Sequence, residues 1–255
     1  MTLLSSDTIT AGEFITCSFE FTAGKNAISR GGRIQIFTDS DSDWDRPQVN
    51  DPVGSNYLSI ESPETVRIYP HIIDQRGMTL RVVRGRLASG DKITVTFGDT
   101  SHGGPGTRCQ TFYESSINFY CAVDLDGVDG LRVLDNPTKL RVMGGSIESG
   151  SVHAPSDVLL GKHFRLIVKA EDRWGNPAEA FNGEVEVRAP GLNIDSKLFA
   201  MDKSYGGVLV LEGCEFREPG ASYIEAIFRE NGQELLVSSN PIEICLLYTS
   251  DAADE

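Results

Sequence analysis

Apolar and polar residues alternate one by one through much of this chain. Ile15, Cys17, Phe19 and Phe21 are spaced by Thr16, Ser18 and Glu20. A period of two predicts a half-buried strand. Comparable short runs occupy residues 33–38, 57–60, 66–69, 80–83, 92–97 and 117–123. Turn signals separate them, at Gly24, Gly31-Gly32 and Gly90-Asp91. A second series covers residues 139–142, 164–170, 183–188, 208–211, 221–228 and 235–237. Strands recurring every ~8–12 residues between turns mark sandwiches and barrels. No stretch sustains a helical period. The pattern predicts an all-β chain of two β-sandwich domains, the second immunoglobulin-like. Asp135-Asn136-Pro137-Thr138 reads as the seam, with one domain over 5–137 and the other over 138–244.

Composition sharpens this picture. The chain has 255 residues, 40% hydrophobic, with 26 glycines, which suits turn-rich β-domains with real cores. A formal net charge of −14 argues against nucleic acid and against an anionic membrane surface as partners. No apolar run reaches the ~18 residues of a membrane span. Residues 1–6 carry no base and no apolar core, so no signal peptide is expected. The chain is then cytoplasmic, unless its true start lies upstream. The five cysteines form no C-x-x-C pair, and the four histidines are scattered, which argues against a zinc site. Cys17 and Cys121 sit in alternating runs and are read as buried free thiols.

The most unusual stretch is the 98–112 loop, with Gly98, Gly103, Gly104 and Gly106 around Pro105. It also holds Asp99, Ser101, His102 and Arg108. A Ser-His-Asp relay is a poor reading, because residues so close in sequence do not reach that geometry and no nucleophile elbow surrounds Ser101. The glycines could cradle an anion, but no Gly-Lys-Ser/Thr follows. Arg108 could clamp a carboxylate or phosphate, or pair with Asp99. A structural role for the loop is favoured, with Asp99, His102 and Arg108 as its candidate binding residues. Trp44 and Gln48 place an aromatic beside an amide and suggest a possible carbohydrate ligand, against the commoner reading of Trp44 as packing. Asp39, Asp41, Asp43 and Asp45 alternate like calcium ligands. The match to a calcium loop fails at Trp44, where Gly is needed, and at Asn50, where Glu is needed. Asp172-Arg173-Trp174-Gly175-Asn176-Pro177 is read as a compact turn.

Taken together, these pieces resemble the N-terminal half of the domain-of-unknown-function 3604 family. The matching residues are Gly31-Gly32-Arg33-Ile34, Asp43-Trp44 with Pro47-Gln48, and Gly90-Asp91-Lys92-Ile93. Further matches are Gly98-Asp99 through Gly104-Pro105-Gly106 to Gln110-Thr111-Phe112, then 170–177 and Ser239-Asn240-Pro241-Ile242. The resemblance runs from about Asp7 to Ile244. It implies that the intact protein continues into a PHP-like metal-dependent hydrolase domain, opened by a Trp-Gly-Asp-Leu-His-type motif. No residue here matches that motif, so no catalytic residue, metal ligand or cofactor is assigned to this chain. The divalent metal is expected in the missing domain, which is also the expected partner. Residues 245–255 resemble the translation of a transposase sequencing adapter, so the native sequence is expected to end at about Ile244. The alternative function is a free-standing module that binds carbohydrate or another cell-surface polymer.

Overall fold

The computed structural model describes residues 1–39 and 42–246. The described residues form strands joined by turns and irregular loops, with a single helical turn of the 3-10 type at Lys203–Tyr205. No helix among them is long and apolar enough to cross a membrane. The chain divides into two compact units, Met1–Met143 and Gly144–Glu255.

The first unit is a β-sandwich. One sheet has four strands, ordered Thr2–Leu3, Cys17–Thr22, Lys92–Phe97 and Leu58–Glu61. The other has seven, with Glu114–Asp124, Arg33–Thr38, Gly77–Arg84 and Arg67–Asp74 in that order towards one edge. The alternation seen in sequence becomes burial. Cys17, Phe19 and Phe21 point inward from one sheet, and Ile34 and Ile36 from the other. Phe21, Ile93 and Val95 of the small sheet share a core with Ile34, Leu80 and Val82 of the large one. Near-complete burial of a side chain of this size contributes roughly 1.5–3 kcal/mol, so the two inward rows hold the sheets together.

The seam lies later than the sequence predicts. Thr138–Met143 was expected to open the second unit. Instead it pairs antiparallel with Glu114–Asp124 and parallel with Thr8–Thr10, inside the large sheet of the first unit. Leu140 and Val142 are buried in that unit's core beside Ile117 and Phe119. Pro137 marks a strand start, not a linker.

Asp124 is 1% exposed at the end of its strand and is paired with Arg33 of the neighbouring strand at 2.6 Å. It also accepts the backbone N–H of Gly127. Burial pushes its pKa up, but Arg33 and these donors outweigh burial and leave it below the usual carboxylate range.

The second unit is a β-sandwich of immunoglobulin-like size. Ser149–His153, Phe164–Glu171, Val208–Phe216 and Leu192–Asn193 form one sheet, and Leu198–Met201, Gly183–Arg188, Glu225–Glu230 and Gln233–Ser238 another. A three-stranded sheet joins Asp157–Leu159, Ile242–Cys245 and Gly220–Ser222. Val168, Val185, Phe216, Phe228 and Ile242 meet in the core. The single strand expected over 221–228 is two strands in different sheets, Gly220–Ser222 and Glu225–Glu230. Cys245 completes the strand Ile242–Cys245, where its carbonyl accepts the N–H of Leu160. The rest of the segment assigned to adapter lies, from residue 247 onward, outside the described residues.

Candidate functional site

The 98–112 loop leaves the strand Lys92–Phe97 through Gly98, whose φ is +64°. A Cβ there would sit 2.3 Å from the carbonyl oxygen of Ile15 and 2.3 Å from the amide nitrogen of Thr107. Only glycine allows so close an approach of three backbone segments. The loop then returns as Thr107–Arg108, which pairs with Phe14–Ile15. Asn56, itself at φ +62°, ties in a second loop. Its N–H donates to Gly106 O, and its side-chain oxygen accepts from the Thr107 hydroxyl at 3.1 Å.

The 42–48 segment is fastened to the same loop. Thr111 donates its N–H and its hydroxyl to the two oxygens of Asp43, at 2.8 and 2.7 Å. Arg108 donates to the Asp45 carboxylate and to the Asp43 carbonyl, each at 2.9 Å. The Asp45 bond, ahead of the field of Asp43, raises the Arg108 pKa above its ordinary value. Trp44 packs edge-on against Phe119 and donates Nε1–H to Gln110 Oε1 at 3.1 Å. Gln110 is fully buried, and its amide nitrogen donates to Phe112 O and Glu114 Oε2.

These contacts assign the sequence candidates as follows. Arg108 pairs with Asp45 and Asp43, not with Asp99. Asp99 is instead held by Ser59 and by the Ser101 N–H, which together lower its pKa. His102 is exposed; its Nδ1 lies 3.0 Å from the Ser101 hydroxyl and its ring meets Tyr57 edge-on. Gln48 spends its amide internally: Nε2 donates to Asp51 O and Ser55 O, while Oε1 accepts the N–H groups of Asn50 and Asp51. Asp39 accepts from the Tyr120 hydroxyl at 3.1 Å, whereas Asp43 faces Thr111. The two are turned to different partners, and Asp41 lies outside the described residues. Among the described residues no group of three or more His, Cys, Asp or Glu side chains is placed to hold a metal ion.

Gln110 entered the sequence reading only as part of the family match, and Asn56 and Cys109 were not candidate site residues there. The signal for Gln110 was faint, an amide beside a cysteine at the end of the 98–112 loop, because its partner Trp44 lies 66 residues upstream. Cys109 is buried, with its thiol 2.8 Å from Thr10 O. Burial pushes the thiols of Cys17, Cys109 and Cys121 each up to about 11. Cys214 is buried too, and all five cysteines are free thiols. Iodoacetamide at pH 8 is therefore expected to label the native chain at half-exposed Cys245 and to reach the other four only after denaturation. Rapid native labelling of Cys17 or Cys109, read by mass spectrometry, would contradict this packing.

No family model matches this chain. Similar sequences include an uncharacterized protein of Chlamydia muridarum, 23% identical over 94% of this chain and 40% of the relative. An uncharacterized protein of Chlamydia trachomatis shows the same identity and the same shares of each chain. The chain thus spans about 40% of the length of the curated relatives it matches. Among solved structures, the adhesin InvE of Yersinia pseudotuberculosis aligns with 95% of this chain and 57% of its own, at 13% identity and a TM-score of 0.29. The chain is an all-β protein with sandwich cores, and its 98–112 loop is a cross-braced junction.

Proposed function

We propose that this chain is a non-catalytic β-sandwich region of a larger protein, placed ahead of a PHP-like metal-dependent hydrolase domain. It scaffolds that domain and helps to position its substrate. One observation carries the non-catalytic reading: Asp99, Arg108, Gln110 and Thr111 of the 98–112 loop are spent on holding it, and exposed His102 is turned to Ser101 and Tyr57. Arg108 is neutralised by Asp45, Gln110 is buried under Trp44, Thr111 is fixed to Asp43, and Asp99 is held by Ser59 and Ser101. A general base or nucleophile needs a free reactive atom within reach of substrate. The family resemblance of the 31–48 and 90–112 motifs supplies the identity of the following domain, and the greater length of the Chlamydia relatives is consistent with a longer parent. In this reading the divalent metal belongs to the hydrolase domain, and residues 245–255 are foreign sequence.

Long-read sequencing of the native locus tests the proposal. The reading frame is expected to depart from the 245–255 sequence after Ile244 and to enter a His- and Asp-rich domain. The longer protein, once expressed, should retain a divalent metal through gel filtration. A locus that encodes residues 245–255 followed by a stop codon would refute the proposal.

A further inference from the structure

The outer face of the seven-stranded sheet carries arginines that have no counter-ion among the described residues, on a chain in which 37 acidic residues outnumber 23 basic ones. Residues 67–86 reverse that balance, with five arginines and one aspartate. Strand register brings Arg67 opposite Arg84, and sets Arg81 between Tyr69 on one side and Arg33 on the other. Ile68, Leu80 and Val82 turn into the core, so Arg67, Tyr69, His71 and Arg81 face outward, and all four are exposed.

Arg33 is neutralised by Asp124. Arg67, Arg81 and Arg84 have no ion pair or side-chain hydrogen bond among the described residues. Arg67 and Arg84 flank a shallow depression of about 310 Å³ together with Glu64, which pairs with neither. Like charges directly opposite in an antiparallel pair destabilise the sheet. The fold bears that cost at Arg67 and Arg84, so an anion from outside would relieve it.

The strand Arg67–Asp74 is the last in its sheet, and Pro70 stands at its centre. Proline removes a backbone donor and blunts the edge against an added strand. Recognition therefore falls to side chains across the face. Guanidinium forks fit carboxylate and sulfate groups. Tyr69 offers a ring face with a hydroxyl, and the next row, His71, Thr79 and Gln35, offers further hydrogen-bonding groups. We infer that this face binds an acidic polysaccharide, a polymer of sugar rings bearing carboxylate or sulfate. The inference does not depend on the hydrolase reading above.

The test titrates the full chain with polygalacturonate, heparin, neutral dextran, single-stranded DNA and phosphatidylserine vesicles, at low and at physiological ionic strength. Binding is expected for polygalacturonate or heparin, weakening with salt and absent for dextran; which polymer binds tells carboxylate from sulfate. Arg81→Glu and Arg84→Glu should each weaken it roughly tenfold or more. Arg84→Glu, now facing Arg67 as an opposite charge, should at the same time keep the melting temperature or raise it by roughly 1–3 °C. Binding lost while stability holds or rises separates recognition from folding. No binding to either acidic polymer, equal binding to DNA or vesicles, or binding indifferent to both substitutions would overturn the inference.

Discussion

Replacing Asp172 with alanine is expected to destabilise the second unit by about 3–4 kcal/mol. Asp172 is 2% exposed, and its carboxylate closes the 172–176 turn. Oδ1 accepts the N–H groups of Trp174 and Asn176, at 2.8 and 2.9 Å. Oδ2 accepts the Gly145 N–H and the Asn176 side-chain amide, each at 2.9 Å. Alanine strands all four donors in a place with little water, and the cost is set by those orphaned groups. Asparagine should cost less, about 2 kcal/mol, because its oxygen still serves two donors while its amide opposes the other two.

The same carboxylate makes the unit acid-sensitive. Burial pushes the Asp172 pKa up, but the bonds from Asn176, Gly145 and Trp174 outweigh burial and leave it below the ordinary value. A carboxylate with a depressed folded pKa contributes stability in full above its unfolded pKa of about 3.9. That stability is lost as pH falls through the lower folded value. Each unit has one tryptophan, Trp44 in the first and Trp174 in the second, so urea melts followed by fluorescence report on both. The Trp174 transition should move to lower urea in Asp172→Ala at pH 7, and the gap to wild type should narrow towards pH 3. An unchanged Trp174 transition would sink the assignment.

Gly98→Ala is expected to cost the first unit roughly 3 kcal/mol or more. The left-handed backbone alone accounts for about 1 kcal/mol of that. The remainder arises because the new methyl would meet two backbone atoms at 2.3 Å, and neither can rotate away as a side chain would. Phe14–Ile15 and Thr107–Arg108 would have to part. Gly90→Ala is the control. Its φ is +86°, and a Cβ there meets nothing within 4 Å, so only the backbone term of about 1 kcal/mol applies. Equal losses in the two variants, measured by the Trp44 transition, would show that the close approach at Gly98 is not what holds the loop.

Much of this fold is legible in the amino-acid sequence. The strands Arg33–Thr38, Lys92–Phe97 and Gly183–Arg188 run where alternation placed them, because each side chain's distance from water repeats every second residue. The turns at Gly90 and at Asp172 to Pro177 were equally plain, since they depend on local backbone chemistry. The all-β class and the two-unit organisation follow from the same local signals.

Other features were settled by tertiary structure. Alternation tells which face of a strand is buried, and is silent on which strand lies beside it. Hence 138–143 could join the large sheet of the first unit beside residues 8–10, more than a hundred positions away. Likewise the 221–228 run could split between two sheets. Arg108 found Asp45 and Asp43, over sixty residues upstream, in place of nearby Asp99, and Gln110 found Trp44. The arginines of 67–86 became one face only when antiparallel register set Arg67 against Arg84 and Arg81 against Arg33. Sequence determined the elements because their signals are local. Partners, charge rows and the fate of each polar group required the long-range pairing of strands, which only the packed chain decides.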